Sequence, residues 1–279
     1  MKKILVTGAS GFLGSKILTY YKENYLFFAP THKEMDITNE KSVAAYFSQH
    51  TPDIVIHCAA ISDTGACEKN PDLSFNVNVS GSENIAKISS LFGAKCILCS
   101  SDQVYCNSNY QNPNCENDSL TPSNVYGKHK LTAEQSCLAL NADSVHLRLA
   151  WMYDSNIDMT APRNDFAKQL FLSIRDKSNL SLPVNDKRGI TDVWEVVKNI
   201  ENTFTLPGGI YNFGSPNTVN TYETALSVLN ALHQDTSYLS EKVYEKARNL
   251  SMSQEKLNSY DVYFSSTKEA LIRCLKNYI

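Results

Sequence analysis

Tyr126 and Lys130 stand four residues apart in Tyr126-Gly127-Lys128-His129-Lys130. On a helix that spacing puts both side chains on one face, one turn apart. An ammonium beside a phenol favours the phenolate, so Tyr126 is expected to ionise more readily than a free tyrosine. Such a phenol is a proton donor for a carbonyl oxygen near neutral pH. The pattern alone also describes an ordinary surface helix, and its company decides. Thr7-Gly8-Ala9-Ser10-Gly11-Phe12-Leu13-Gly14 supplies three glycines between an apolar run and a helix-like segment. In that setting one glycine makes a tight turn, one lets backbone approach a pyrophosphate, and one packs helix on sheet. Ser100-Ser101-Asp102-Gln103-Val104-Tyr105 closes another apolar run. Open α/β sheets bind ligands at the carboxyl ends of their strands, so Ser101 is placed to hydrogen-bond a substrate carbonyl. Ser101, Tyr126 and Lys130 are therefore the catalytic candidates. His129, three residues past Tyr126, is read as a solvated helix residue rather than a general base.

These residues need strands and helices in alternation to hold them. Apolar runs at Lys3–Thr7, Tyr25–Ala29, Asp53–His57, Lys95–Cys99 and Val145–Leu149 read as strands. Phe12–Tyr21, Phe75–Phe92 and Pro122–Ala142 have helical spacing. Continuous apolar strands alternating with helices predict a parallel sheet covered on both faces. The second half is less regular, with helices expected at Phe166–Ile174, Val193–Phe204 and Tyr222–Leu232 and strands at Leu180–Pro183 and Gly209–Phe213. From Leu257 onward the chain reads as helical or mixed. The expected class is α/β, a Rossmann doubly wound parallel sheet with a smaller C-terminal α/β domain. Residues 1–150 are expected to bind NAD(P), and residues 151–279 mainly to bind substrate, with some segments returning to the first domain.

The spacing Gly-x-x-Gly-x-x-Gly after a threonine resembles the extended short-chain dehydrogenase/reductase family. Ser100–Tyr105 and Pro122-x-Asn124-x-Tyr126-Gly127 resemble the matching segments of the dTDP-4-dehydrorhamnose reductase-like, sugar nucleotide-binding family. So do His57-Cys58-Ala59-Ala60, Asn76–Gly81 and Leu147–Tyr153, where the family has Asn-Ala-Ala-Ala, a Val-Asn helix and Leu-Arg-Thr-Ser-Trp-Val-Tyr. The resemblance implies hydride transfer from NADPH to a C4 keto group on a nucleotide-linked deoxysugar. It implies that Gly8, Ser10, Gly11, Phe12 and Leu13 hold the cofactor's pyrophosphate, and that Asp36 and Ile37 meet the adenine. Cys58, Ala59, Ala60, Asn78 and Ser100 complete the implied cofactor site, with Tyr126 and Lys130 at the nicotinamide end. Ser62, Asp102, Gln103, Val104 and Trp151 are the implied substrate contacts, a core aromatic being the other reading of Trp151. An acid at the end of the second strand would accept from an adenosine 2′-hydroxyl. Here Thr31, His32 and Lys33 stand there instead, which favours NADP and leaves NAD open; a solvated loop is the alternative for His32 and Lys33.

Two departures from the family pattern bear on the substrate. Leu149 and Ala150 replace a polar pair beside Trp151, and Lys187-Arg188-Gly189-Ile190-Thr191 is a shortened, more basic form of the family's Gln-x-Gly-x-Pro-Thr loop. Lys187 or Arg188 is read either as a phosphate contact or as part of a solvated turn. Gln103 follows Asp102 where a dehydratase wants a second acid, so that reaction is disfavoured. An NAD-dependent epimerase and a non-catalytic NADP-binding subunit remain the competing functions.

A net charge of −3 with no basic cluster excludes a nucleic-acid footprint, and no polybasic amphipathic stretch suggests a membrane surface. No apolar stretch approaches the roughly 20 residues that span a bilayer, and glycines interrupt the N-terminal apolar run before a signal peptide's core could form. The protein is expected in the cytoplasm with its eight cysteines as thiols, as a monomer or homodimer. Cys96 and Cys99 form a Cys-x-x-Cys, but residues three apart on a strand face opposite ways, so no metal site is expected.

Overall fold

A computed structural model describes residues 1–108 and 111–279, which divide into two compact units. The first comprises residues 1–104, 121–148 and 199–211, and the second residues 105–120, 149–198 and 212–279.

The first part of the chain runs β1 (Lys3–Thr7), α1 (Phe12–Tyr21), β2 (Leu26–Phe28), α2 (Glu40–His50) and β3 (Ile54–His57). Then come α3 (Thr64–Lys69), α4 (Pro71–Phe75), a π-helical turn at Asn76–Ser80 and α5 (Gly81–Leu91). β4 (Lys95–Ser101) leads into a 3₁₀ turn, Asp102–Tyr105, and α6 (Val125–Leu140) leads into β5 (Val145–Leu149). β6 (Trp151–Tyr153), α7 (Phe166–Asp176), β7 (Leu180–Pro183), β8 (Asp186–Arg188), β9 (Ile190–Asp192) and α8 (Val193–Ile200) follow. β10 (Gly209–Phe213), α9 (Thr221–Ala231), β11 (Leu239–Lys242), β12 (Arg248–Leu250), α10 (Glu255–Asn258) and α11 (Thr267–Leu275) complete the order.

Six strands form the main sheet in the order β10-β5-β4-β3-β1-β2. β3 and β5 are buried throughout, as a sheet covered on both faces requires. The pairs β1–β2, β1–β3 and β3–β4 are parallel, with Thr7 opposite His57 and His57 opposite Leu98. That register brings the glycine turn after β1, the Cys58-Ala59-Ala60 segment after β3 and the serines ending β4 to one edge. The chain leaves β1 for β2 on one side and returns to β3 on the other. The crevice between β1 and β3 is thus the topological switch point, where such sheets take ligands. Leu5, Val55, Val43, Phe47 and Ile85 form the core between this sheet and α2 and α5.

The second unit holds three short parallel pairs, β6–β9, β7–β11 and β8–β12. Phe166, Leu170, Val228, Leu229, Leu271 and Leu275 build its core. Asn114 ties this unit's segments together by donating its side-chain amide to the carbonyls of Asn249 and Ser251.

The structure revises several sequence boundaries. The segment read as one helix from Phe75 to Phe92 starts earlier, at Pro71 behind the Asn70 cap, and passes through a π turn. Pro122 precedes α6 rather than opening it, because Asn124 caps that helix by accepting from the Gly127 N–H at 2.7 Å. α2 carries only Val43 and Phe47 as buried residues and was not anticipated.

Candidate active site

The glycine turn has the geometry of a dinucleotide cradle. Gly8 has φ +66°, and a Cβ there would lie 2.6 Å from the Ala59 nitrogen, so only glycine allows the turn to pass over the loop after β3. A Cβ on Gly14 would lie 2.5 Å from the Gly8 carbonyl oxygen, so α1 packs directly on the turn. Gly11 caps α1 with no side-chain hydrogen bond, so no capping side chain stands between the helix start and a pyrophosphate. Beside it lies a cavity of about 460 Å³ lined by Gly8, Ser10, Thr31, His32, Asp36 and Ile37, among others. Ala59 lines it too, whereas Phe12, Leu13 and Lys33 do not. Leu13 is buried in the core, and Phe12 lies under the Lys16 ammonium, 4.3 Å from its ring centroid. Glu34, the nearest carboxylate to this loop, accepts from the Thr31 N–H and hydroxyl at 2.8 and 2.9 Å, which lowers its pKa. These residues fit a dinucleotide: a glycine-only turn, an uncapped helix N-terminus and a cavity at the switch point.

At the end of β4, Ser101, Tyr126 and Lys130 come together, at 8%, 7% and 5% exposure. The Ser101 hydroxyl donates to the Asp102 carboxylate at 3.3 Å and accepts from the Gln103 N–H at 3.2 Å, and its contact favours the Tyr126 phenolate. Burial pushes that phenol above the ordinary tyrosine value, and the Ser101 contact only partly opposes it. This corrects the expectation of an acidified tyrosine. The Lys130 ammonium donates to the Cys99 carbonyl at 2.7 Å and stands 5.8 Å from the centre of the Tyr126 ring, so its charge is spent mainly on the strand. Burial lowers the Lys130 pKa, while Cys99, Cys58 and Glu134 favour its charged form.

The helix that carries this pair is fixed at its start. A Cβ on Gly127 would lie 2.4 Å from the Gln103 carbonyl oxygen, so the first turn of α6 sits against the 3₁₀ turn that follows Ser101. One turn past Lys130, Glu134 receives a bidentate hydrogen bond from Arg148 on β5, with a closest approach of 2.7 Å and both side chains 1% exposed. Glu134 also accepts from the Ser100 hydroxyl. Sequence reasoning missed this ion pair; the available signal was the Tyr126, Lys130, Glu134 spacing, which lies on one helix face. Asn78 sits on the π turn and grips the loop after β3, accepting from the Ile61 N–H at 2.8 Å and donating to its carbonyl at 2.9 Å. π turns inside helices recur at functional sites.

Other expected residues fall elsewhere. His129 is partly exposed, with its Nδ1 paired to the Ser74 hydroxyl at 2.9 Å and its ring meeting Phe75 edge-on. Asp102 is 2% exposed, Val104 is 1% exposed with its side chain in the packing beneath the turn, and Ser62 is exposed. The Gln103 side chain accepts from the Asn124 amide at 3.0 Å. Trp151 belongs to the second unit, packed against Phe166 with the Arg188 guanidinium 4.8 Å above its ring, so the basic loop is partly a stacking partner for that tryptophan. Among the described residues no group of three or more His, Cys, Asp or Glu side chains could hold a metal, and no helix is long and apolar enough to cross a membrane.

The chain is similar to several known proteins. The chain is 30% identical over 86% of its length, and 83% of the relative's, to the spore coat polysaccharide biosynthesis protein SpsK of Bacillus subtilis (strain 168). It is 29% identical over 85% of its length to methionine adenosyltransferase 2 subunit beta of Xenopus laevis, covering 74% of that protein. The crystal structure of dTDP-4-dehydrorhamnose reductase from Bacillus anthracis str. Ames in complex with NADP shares the fold with a TM-score of 0.85, 24% identity and 99% coverage of both chains. The family model of the RmlD substrate binding domain matches residues 1–277, and the chain belongs to that family.

Proposed function

We propose that this chain is an NADPH-dependent reductase of a 4-keto group on a nucleotide-linked deoxysugar, of the dTDP-4-dehydrorhamnose reductase kind. The observation that carries the reading is the buried group Ser101, Tyr126 and Lys130 on the same sheet edge as the glycine cradle. When bound, the dinucleotide supplies a hydride. The first unit's Gly8, Ser10 and Gly11 would form the cradle for its pyrophosphate, the Gly11 N–H itself closing the turn on the Gly8 carbonyl at 2.9 Å, and Asp36 and Ile37 line the space for its adenine. His32 would receive a 2′-phosphate, with Lys33 adding charge from outside the cavity and Thr31 joining only once its donors leave Glu34. Cys58, Ala59 and Ala60 would frame the nicotinamide end, with Asn78 supporting their loop through Ile61 and Ser100 turned to Glu134.

Ser101 donates a hydrogen bond to the substrate carbonyl oxygen and fixes its direction. Tyr126, protonated at neutral pH because burial disfavours the phenolate, gives its proton to that oxygen as negative charge builds on it. Lys130 steadies the phenolate left behind and contacts the nicotinamide ribose. The second unit is the substrate-binding one, with Trp151 as its aromatic contact for the sugar.

The test is NADPH oxidation, followed by the loss of its near-ultraviolet absorbance, across nucleotide-linked 4-keto sugars, with NADH in parallel. Turnover on the order of 1 s⁻¹ or faster with at least one such sugar, and a preference for NADPH, is expected. Tight NADPH binding with no turnover on any of them would overturn the reading in favour of a non-catalytic subunit; the Xenopus relative is itself named as a subunit.

A further inference from the structure

Cys58 and Cys99 face each other with their sulfurs 3.6 Å apart. The sequence pairs Cys99 with Cys96, but Cys96 is 1% exposed on the other face of β4. The true neighbour comes from the next strand. His57 pairs with Leu98 in parallel register, so the following residue on each chain, Cys58 and Cys99, stand opposite and point the same way. Neighbouring strands lie about 4.8 Å apart. That is inside the span of about 4.4–6.8 Å between Cα atoms that a disulfide bridges. Both residues are partly exposed, unlike the buried Cys67, Cys96, Cys106, Cys137 and Cys274. A cation stands beside them, since Lys130 is held on the Cys99 carbonyl.

We propose that Cys58 and Cys99 form an oxidation site that closes to an intrachain disulfide when a hydroperoxide reaches it. Cys99 is the attacking thiolate: the hydrogen bond from Cys58 lowers its pKa, burial opposes, and the Lys130 ammonium lowers it further. Its sulfur takes the distal peroxide oxygen; an S–O bond forms, the O–O bond breaks, and hydroxide leaves to become water. The sulfur, oxidised by two electrons, is then a sulfenic acid. Cys58 attacks it, the S–S bond forms, the S–O bond breaks, and a second water leaves with the Cys58 proton. Two thiols and one hydrogen peroxide thus give one disulfide and two waters, and a dithiol reverses the change by exchange. Closure converts the two thiols, whose ionised forms favour the charged Lys130 against its burial, into an uncharged disulfide. Loss of turnover on oxidation follows; that consequence rests on the reductase reading above, whereas the cross-link does not.

The test treats the reduced, full-length protein with hydrogen peroxide, blocks remaining thiols with a maleimide, and maps the digest by mass spectrometry without reductant. A peptide joining Cys58 to Cys99, lost after dithiothreitol, is expected. Recovery of both as free thiols while the exposed Cys115 is oxidised would overturn the proposal. In Cys99→Ser, Cys58 should enter no intrachain disulfide, and its capture by another cysteine would count against the assigned pair. In the parent protein, cross-linking should lower NADPH oxidation at least about tenfold, the scale of one charge-assisted hydrogen bond, and dithiothreitol should restore it. Undiminished turnover in fully cross-linked protein would refute the functional effect. A protein inactive in both states speaks against the reductase reading instead, with the cross-link still mapped.

Discussion

Tyr126 holds its proton more firmly than a free tyrosine, because its surroundings have little room for a phenolate's charge. In the proposed reaction the proton is released when a stronger base, an oxygen gaining negative charge, comes beside it. That differs from an ammonium-acidified phenol, and only burial, which the sequence does not print, could show it. The catalytic candidates themselves were readable, because Ser101, Tyr126 and Lys130 are separated by strand and helix geometry alone. Glu134 and Arg148 were not, since their pairing joins a helix to a strand across the fold. Two buried histidines give the residue scale a sharp test. His57 lies between the Thr7 and Ser82 hydroxyls, and burial lowers its pKa to about 3, as it does that of His146. Below about pH 6.5 the unfolded chain binds a proton at each of them while the native chain stays neutral. Stability therefore falls as pH falls from about 6.5 toward 3, by up to about 1.4 kcal/mol per pH unit for each histidine. His57→Asn, which restores the family's residue, should flatten the pH dependence of the urea midpoint between about pH 6.5 and 4.5. An identical slope in the variant would show that His57 is not held neutral.

At the scale of elements, the site depends on where α6 begins. Gly127 lies against the Gln103 carbonyl oxygen, and that contact sets the distance between Tyr126 on the helix and Ser101 on the strand. In Gly127→Ala the 2.4 Å approach forces the first turn away. A stability loss of about 1–3 kcal/mol by urea unfolding and a turnover loss of at least about tenfold are expected. Parental values for both would mean that the helix start does not position Tyr126. β1, α1 and β5 match their sequence-based spans because each is a compact apolar or amphipathic run bounded by turn residues. α2 escaped notice because most of its residues face water and its start is marked mainly by the Asn39 cap. The π turn was also illegible, since nothing in Asn76-Val77-Asn78-Val79-Ser80 distinguishes it from α-helix by spacing.

At the scale of the whole molecule, the first half is the more legible because its parallel sheet repeats one unit, strand then helix, with buried runs. The second unit's strands are three or four residues long and pair with partners far along the chain, as Asp186–Arg188 does with Arg248–Leu250. Strands that short carry almost no local signal; packing decides them. Residues 105–120, which follow soon after Ser101, belong to the second unit, and nothing in their composition marks the change.

The central claim is that Tyr126 protonates a carbonyl oxygen in a reaction driven by NADPH. It is tested most directly by measuring NADPH affinity and turnover for Tyr126→Phe on a nucleotide-linked 4-keto sugar. The dissociation constant for NADPH should stay within about twofold of the parent, and turnover should fall at least about a hundredfold. Parental turnover in the variant would contradict the account.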